Sequence, residues 1–369
     1  MKIAILAGET SGDNYGGLLA ESIKKFSPGT FIMGTGGEKM KETCNLFIEI
    51  PCGKMGFSDV IINIRRFYLA YKKVLKAIDE EKPALVVFID NPGFNLKVAR
   101  RIGKRYSCLY YIPPKIWAHH YSRVNIIRKY IKLVVPVFPF EKELYEKENV
   151  ECRWFGHPAA DLIKHPGKTR PAKAGGEDEL PVIGLLPGSR EEEVMYLLPV
   201  FLKLAKNMEK ERSLQFIISA SDNKIKKIEE GLLEKHGLSY AIISGNPYRI
   251  INRASLLFAA SGTINMEAAL AEKPLMVFYK TSPLNYILAR MVVQLKHISP
   301  VNLMLGKTAV PEFIQFFPAG KIKKTAFELL DGGKLYHDQI SGFRLLRQST
   351  GAGEISDRVA RLVLSCGEK

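Results

Sequence analysis

PVIGLLPGSREEEV, residues 181–194, reads as a buried strand to Leu186, a tight turn at Pro187-Gly188-Ser189-Arg190 and the start of a helix. A short apolar run that stops at glycine and passes at once into a helical pattern is the strand–turn–helix unit of a parallel sheet. KIAILAGETSGD, residues 2–13, has the same form. Working outward, strand-like runs at 2–7, 30–34, 84–89, 107–112 and 132–137 alternate with helical stretches. The clearest helix is 61–80, where Phe67, Tyr71, Val74, Leu75 and Ile78 recur at helical spacing while Lys72, Lys73 and Lys76 face elsewhere. KHPGKTRPAKAGGEDEL, residues 164–180, has breakers at Pro166, Gly167, Pro171, Gly175 and Gly176 and no apolar face, which marks a boundary. The pattern then restarts, with strands expected at 181–186, 214–219, 240–243, 255–259 and 274–279. Helices are expected at 191–209, 222–236, 261–272 and 283–295, and residues 319–365 read as helical throughout. The expectation is an α/β chain with domains at 1–165 and 181–340, a linker at 166–180 and a helical tail at 341–369.

The 369 residues suffice for two cores without disulfides or metals. Five cysteines, Cys44, Cys52, Cys108, Cys152 and Cys366, show no C-x-x-C spacing and fit a reducing cytoplasm, with Cys108 and Cys152 in buried-looking runs. A formal charge of +16 favours anionic partners without choosing among nucleic acid, acidic lipid and phosphorylated substrates. The apolar run Ile3 to Ala7 is too short for a signal peptide, and no run reaches the ~18 residues of a spanning helix, so membrane contact is expected to be peripheral.

In open parallel sheets ligands bind beyond the carboxyl ends of the strands, so the residues just after strands carry the chemistry. Gly8-Glu9-Thr10-Ser11-Gly12-Asp13 is either a glycine turn capped by Ser11 or Asp13 or a close-approach loop at a helix N-terminus. It lacks the G-x-G-x-x-G spacing of dinucleotide binding. Asp90, in Ile89-Asp90-Asn91-Pro92-Gly93-Phe94-Asn95, is placed to be a general base or a turn cap. Gly188 frees backbone N–H groups, Ser189 can cap, and Arg190 has no evident structural duty, which favours anion binding; no P-loop Lys-Ser/Thr follows. Ser261, Gly262 and Thr263 can present backbone donors to a phosphate, with Glu267 one turn on, where it can take ribose hydroxyls. The cluster Val301–Leu303 with Val310–Gln315 reads, taken alone, as structural. His119-His120 lacks a metal-ligand partner, and no Asp-x-Asp pair follows a strand, so neither metal nor cofactor is indicated.

Together these stretches resemble the lipid-A-disaccharide synthase family of GT-B glycosyltransferases. The resemblance is carried by AGETSGD (7–13), MGFSDV (55–60), FIDNPGFN (88–95), YYIPPKIWA (110–118), FPFEKELYEKENV (138–150) and WFGHPAAD (154–161). It continues with LLPGSREEEV (185–194), ASGTINMEAAL (260–270), KPLMVFY (273–279) and VPEFIQ (310–315), all in the family's order. It implies two Rossmann-like parallel-sheet domains facing a central cleft. The implied reaction passes a sugar from UDP-2,3-diacylglucosamine to 2,3-diacylglucosamine 1-phosphate, with inversion, in a cytoplasmic enzyme peripheral on the inner face of the bacterial inner membrane. By resemblance Asp90 is the base, Arg190 neutralises the leaving diphosphate, and Glu9, in the acceptor-side loop with Ser11, is the third catalytic residue, with Asn95 and Trp117 in matching acceptor-side motifs. Gly188, Ser189, Ser261, Gly262, Thr263, Glu267, Asn302 and Gln315 match the nucleotide side.

The chain departs from the family at Gly93, where aspartate is usual, and at Pro113-Pro114-Lys115-Ile116-Trp117-Ala118-His119-His120, which keeps one tryptophan of two and loses an arginine. Arg65, Arg66, Phe67 and Tyr68, beside Met55 and Phe57, form a candidate membrane-facing set; an ordinary amphipathic helix on the sheet is the equal alternative. Competing functions are another GT-B transferase, a UDP-sugar epimerase, or a nucleotide-binding regulator without chemistry. Nucleic-acid binding is disfavoured because the basic residues are dispersed. The oligomeric state is not legible.

Overall fold

The structure is a computed structural model that describes residues 1–8, 10–50, 60–117, 120–163, 180–245, 247–292, 296–350 and 353–368. The chain divides into two units, Met1–Asp161 with Thr350–Lys369, and Leu162–Ser349.

In the first unit the strands are β1 (Lys2–Leu6), β2 (Phe31–Thr35), β3 (Leu46–Phe47), β4 (Leu85–Ile89), β5 (Ser107–Tyr111) and β6 (Leu133–Val135). Between them run α1 (Thr10–Phe26), α2 (Glu38–Thr43), α3 (Val60–Glu81), α4 (Pro92–Ile102), α5 (Arg123–Tyr130) and α6 (Pro139–Lys147), and α7 (Ala159–Leu162) lies at the division. The parallel sheet has the order β3-β2-β1-β4-β5-β6. Strand order therefore reverses between β1 and β4, and their last paired residues, Leu6 and Phe88, lie level. Strands covered on both faces must be apolar on both: all five residues of β4 are buried. Ala4, Leu6, Val86 and Phe88 pack on Val74 and Ile78 of α3 and Val98 of α4, while Ile3, Ile5, Val87 and Ile89 pack on Leu19 and Ile23 of α1.

The second unit repeats the scheme with β7 (Val182–Leu186), β8 (Gln215–Ala220), β9 (Ala241–Ser244), β10 (Leu256–Ala260), β11 (Leu275–Tyr279) and β12 (Glu312–Ile314). Its helices are α8 (Glu191–Glu209), α9 (Asn223–His236), α10 (Tyr248–Arg253), α11 (Ile264–Leu270), α12 (Pro283–Val292), α13 (Pro300–Leu305), α14 (Ala319–Leu330) and α15 (Lys334–Ser349). The order β12-β11-β10-β7-β8-β9 reverses between β7 and β10. Phe201, Phe258 and Phe278 meet edge-on or tilted at 5.0–5.9 Å in its core.

All ten expected strands are present within two residues, but β3 and β12 were not anticipated: two residues are too few to show a period, and Glu312 interrupts the apolar run of the other, unlike Leu133–Val135 of the equally short β6. The expected tail divides at Thr350. Helix α15 stays with the second unit, and α16 (Ile355–Gly367) lies on α1 of the first, where Val359 and Val363 join the Leu19–Ile23 core. Asp161 fixes that return: its two carboxylate oxygens accept the Ile355 and Ser356 amides at 3.0 and 2.6 Å. Lys25 pairs with Asp357 at 2.5 Å alongside.

Phe67 is corrected. It packs against the core with Tyr71 and Leu75, as its helical spacing with them requires, and Arg65, Arg66, Tyr68 and Leu69 are the exposed residues there. Met55, Phe57 and most of the expected linker lie outside the described residues. Cys108 and Cys152 are buried free thiols, both pushed up to about 12 by burial. No described helix is long and apolar enough to cross a membrane.

Candidate active site

In the first unit the loop after β4 is held in an uncommon backbone conformation. Asp90 and Asn91 are both left-handed, at φ 48° and 44°, which costs roughly 1–3 kcal/mol per non-glycine residue and persists only where surroundings enforce it. The enforcement is visible. Asn95, buried on the first turn of α4, donates to the carbonyls of Leu6, Ile89 and Asp90 at 3.1, 3.2 and 2.8 Å, and Tyr110 donates its phenol to the Asp90 carbonyl at 2.7 Å. These bonds tie the ends of β1, β4 and β5 and aim the half-buried Asp90 side chain from the point where strand order reverses.

The glycine loop meets this corner. A Cβ at Gly8 would overlap the Asn91 side chain, so glycine there lets the loop close on this corner, whereas one at Gly12 would make only ordinary contact, 3.9 Å from Asp90 Cβ. Ser11 is half-buried beside Gly12; Glu9 lies outside the described residues. Asp13 is a cap, but not of its own helix: it accepts the amides of Gly37, Lys39 and Met40 at 2.7, 3.1 and 2.9 Å at the start of α2. A Cβ at Gly93 would meet nothing within 4 Å, so a second carboxylate there is sterically admissible.

Trp117 has a defined setting. Its indole donates to Glu141 Oε1 at 2.8 Å, and its ring stands edge-on to Phe138 and Phe140 at 6.2 and 5.2 Å. Glu141 also accepts the Phe138 amide at 3.2 Å; burial pushes its carboxyl up to about 7 against these donors. His157, buried against Tyr15 and Phe138, is pushed down to about 3 by burial and then by Lys115, so it is neutral.

In the second unit the loops after β7 and β10 leave neighbouring strands at the other reversal. Gly188 has φ +121°, a conformation for glycine, and a Cβ there would strike Glu193. Glu193 accepts the Ser189 and Arg190 amides at 3.2 and 3.4 Å and pairs with the Arg190 guanidinium at 3.6 Å. The donors read from the sequence as anion-binding thus hold an internal carboxylate, and Arg190 stays half exposed. Tyr279, exposed at the end of β11, feels Glu193, Glu192 and Arg190, which brings a third strand end to this corner.

On the β10 side, the Ser261 amide belongs to the sheet, donating to Phe278 O at 2.9 Å, and its hydroxyl donates to Ile298 O at 3.0 Å. The Gly262 amide donates to Asn265 Oδ1 at 3.1 Å, while Asn265 Nδ2 holds the Ala260 carbonyl at 3.0 Å, the counterpart of Asn95 in the first unit. Of the three expected backbone donors, only the Thr263 amide meets no acceptor among the described residues. Glu267 is buried, raised to about 7 by burial with a Tyr248 hydrogen bond opposing.

Asn302 and Gln315, expected on the nucleotide side, both brace the main chain. Asn302 accepts from the Ala309 and Val310 amides at 2.7 and 2.8 Å and donates to Val310 O and Glu312 at 2.9 and 2.8 Å, which fills its amide. Gln315 bonds Thr281 through both amide atoms at 3.2 and 3.0 Å. Glu312, read only as part of a structural cluster, fixes residues 298–299 through their amides. Tyr110, Asn265, Glu193 and Tyr279 are the residues sequence reading missed; each lies inside a quoted motif, but its partner is distant or local geometry alone reveals it.

Residues 3–357 match the family model described as lipid-A-disaccharide synthetase. Similar relatives are lipid-A-disaccharide synthases of Geobacter sulfurreducens, 32% identical over 98% of this chain and 96% of the relative, and of Coxiella burnetii strain Dugway 5J108-111, 31% identical over 98% and 97%. Among solved structures, the UDP-GlcNAc 2-epimerase of Neisseria meningitidis bound to UDP-GlcNAc aligns over 99% of this chain and 100% of its own, with TM-score 0.66 and 14% identity. The UDP-GlcNAc 2-epimerase of Methanocaldococcus jannaschii, in complex with UDP-GlcNAc and UDP, gives TM-score 0.63 at 14% identity, over 99% and 100%. At such identities the likeness carries the GT-B fold alone.

Proposed function

The chain belongs to the lipid-A-disaccharide synthetase family of glycosyltransferases, and on that premise we propose that it moves 2,3-diacylglucosamine from its UDP conjugate to 2,3-diacylglucosamine 1-phosphate. Asp90 takes the proton of the acceptor 6-hydroxyl. The oxygen attacks the anomeric carbon from the face opposite the nucleotide, the carbon–oxygen bond to the diphosphate breaks, and its electron pair leaves with UDP. The products are a β-1,6-linked disaccharide 1-phosphate and UDP, with inversion.

The observation that carries this reading is the Asp90 corner: a carboxylate on left-handed backbone at a strand-order reversal, its main chain fixed by four hydrogen bonds, two of them buried. In the same reading, Arg190 exchanges Glu193 for the leaving diphosphate, because phosphate offers its guanidinium and the Ser189 and Arg190 amides more negative charge than one carboxylate. Thr263 adds a backbone donor, Glu267 faces the ribose, and Ser11 and the Trp117 face attend the acceptor. Asn95 positions the base. The enzyme works at an anionic membrane surface, with Arg65 and Arg66 as one point of attraction.

The test is a transferase assay with donor and acceptor of varied acyl length, products read by mass spectrometry. A disaccharide 1-phosphate is expected, lost in Arg190→Ala protein that stays folded. No disaccharide at any acyl length, with epimerised UDP-sugar instead, overturns the proposal.

A further inference from the structure

Arg123 opens α5 at the Asp90 corner. Helix α5 runs from the carboxyl end of β5 back to the start of the parallel β6, so its first residue lies at the same end of the sheet as the loop after β4. It packs beside α4, which opens directly after that loop. Val124, the next residue, is buried in the core that also holds Tyr110 and Phe94. Tyr110 links the two helix starts. Its phenol donates to the Asp90 carbonyl at 2.7 Å. Burial holds that phenol well above its ordinary range, the Asp90 carboxylate raises it further, and Asn95 and then the Arg123 guanidinium draw it down. Base and cation therefore act on one side chain.

Arg123 is half-buried, and among the described residues its guanidinium makes no hydrogen bond and no ion pair. The acid that reaches α5, Glu148, is taken by Arg128 and by the Tyr121 phenol. Arg105, on the far side of α4, is paired with Asp79. A guanidinium partly out of water, beside a carboxylate-bearing loop and holding no internal partner, is set for an anion that the ligand brings.

The acceptor brings one. In a 1-phosphorylated glucosamine, the carbon that carries the phosphate and the carbon that bears the hydroxymethyl group flank the same ring oxygen. The phosphate therefore lies within one sugar width of the hydroxyl that Asp90 deprotonates. A phosphate that near to a carboxylate is repelled unless a cation stands with them. We propose that Arg123 binds the 1-phosphate of the acceptor sugar and so selects phosphorylated over unphosphorylated glucosamine acceptors. The proposal rests on the reading of Asp90 as the base that faces the acceptor.

Calorimetric titration of the full chain with short-acyl 2,3-diacylglucosamine 1-phosphate, and with the same sugar lacking phosphate, measures the discrimination directly. The phosphorylated sugar is expected to bind more tightly. Arg123→Gln should weaken it roughly ten- to a hundredfold and leave the unphosphorylated sugar and the melting unchanged. Arg123→Lys keeps the charge without the planar fork and should fall between. In the transferase assay Arg123→Gln should raise KM for the phosphorylated acceptor and leave KM for the donor unchanged. Equal loss for both sugars, which a merely loosened α5 would give, overturns the proposal. So does an undiminished phosphate preference in Arg123→Gln, and so does a parent chain that binds the two sugars equally. Phosphate preference that depends on Arg123, without disaccharide synthesis, keeps the phosphate site and sinks the proposed function. Disaccharide synthesis whose phosphate preference ignores Arg123 does the reverse.

Discussion

At the residue scale, the chemistry concentrates on groups whose surroundings hold them at a cost. Asp90→Asn keeps the shape and the Tyr110 and Asn95 bonds, which use the Asp90 main-chain carbonyl, but removes the base. Turnover should fall about 10²–10⁴-fold with melting unchanged, read by initial rates and thermal denaturation; undiminished turnover removes Asp90 from the mechanism. Glu229 on α9 is a second costly carboxyl. Neither of its oxygens has a hydrogen-bond partner among the described residues, and burial, then Asp222 and Glu230, raise it from 4.5 to about 8. Between those values the folded chain keeps a proton that the unfolded chain has released. This residue's contribution to stability therefore falls as pH rises from 4.5 to about 8 and is level above. Glu229→Gln should remove that slope and stabilise by about 1–2 kcal/mol near pH 8, measured by urea midpoints across the range. A variant no more stable than the parent there contradicts it. The residue types at the Asp90 and Arg190 corners were legible from sequence. Their partners were not, since Tyr110 reaches Asp90 across the sheet and Asn302 is saturated by a turn several residues on.

At the scale of elements, strand–turn–helix units gave the site its positions. Where glycine sits in a helix start the cost is testable. Gly93, second residue of α4, has open space around its Cβ position. Gly93→Asp trades glycine's backbone freedom for a carboxylate at a helix N-terminus and should add about 0.5–1 kcal/mol, seen as a higher denaturant midpoint; a lower midpoint shows that repulsion from Asp90 dominates. At α8, Glu193→Ala frees the Ser189 and Arg190 amides and should cost about 1 kcal/mol by the same measurement. The boundaries of α8 and of the ten expected strands followed from hydrophobic period, and Phe67 followed the same period inward, beside exposed neighbours.

At the scale of the molecule, each unit has its own sheet and core, but the first is completed by the end of the chain. Ile355, Val359, Ala360, Leu362 and Val363 all belong to its core. Deleting residues 350–369 should destabilise the first unit by several kcal/mol and leave the second nearly unchanged, visible by calorimetry as the loss or downshift of one of two transitions. A truncated chain that melts like the parent would mean α16 contributes nothing there. The sequence by itself determined the two parallel sheets, the register of the motifs after their strands and the family, because period and turn chemistry are local and each unit of the fold is written within some thirty residues. The path of the chain in space alone places α16 back on the first unit, Glu193 on the loop amides, and Asn302 and Gln315 on main-chain groups that they brace. A side chain's hydrogen-bond partner is chosen by the path of the chain in space, and no pattern of neighbours along the sequence records it.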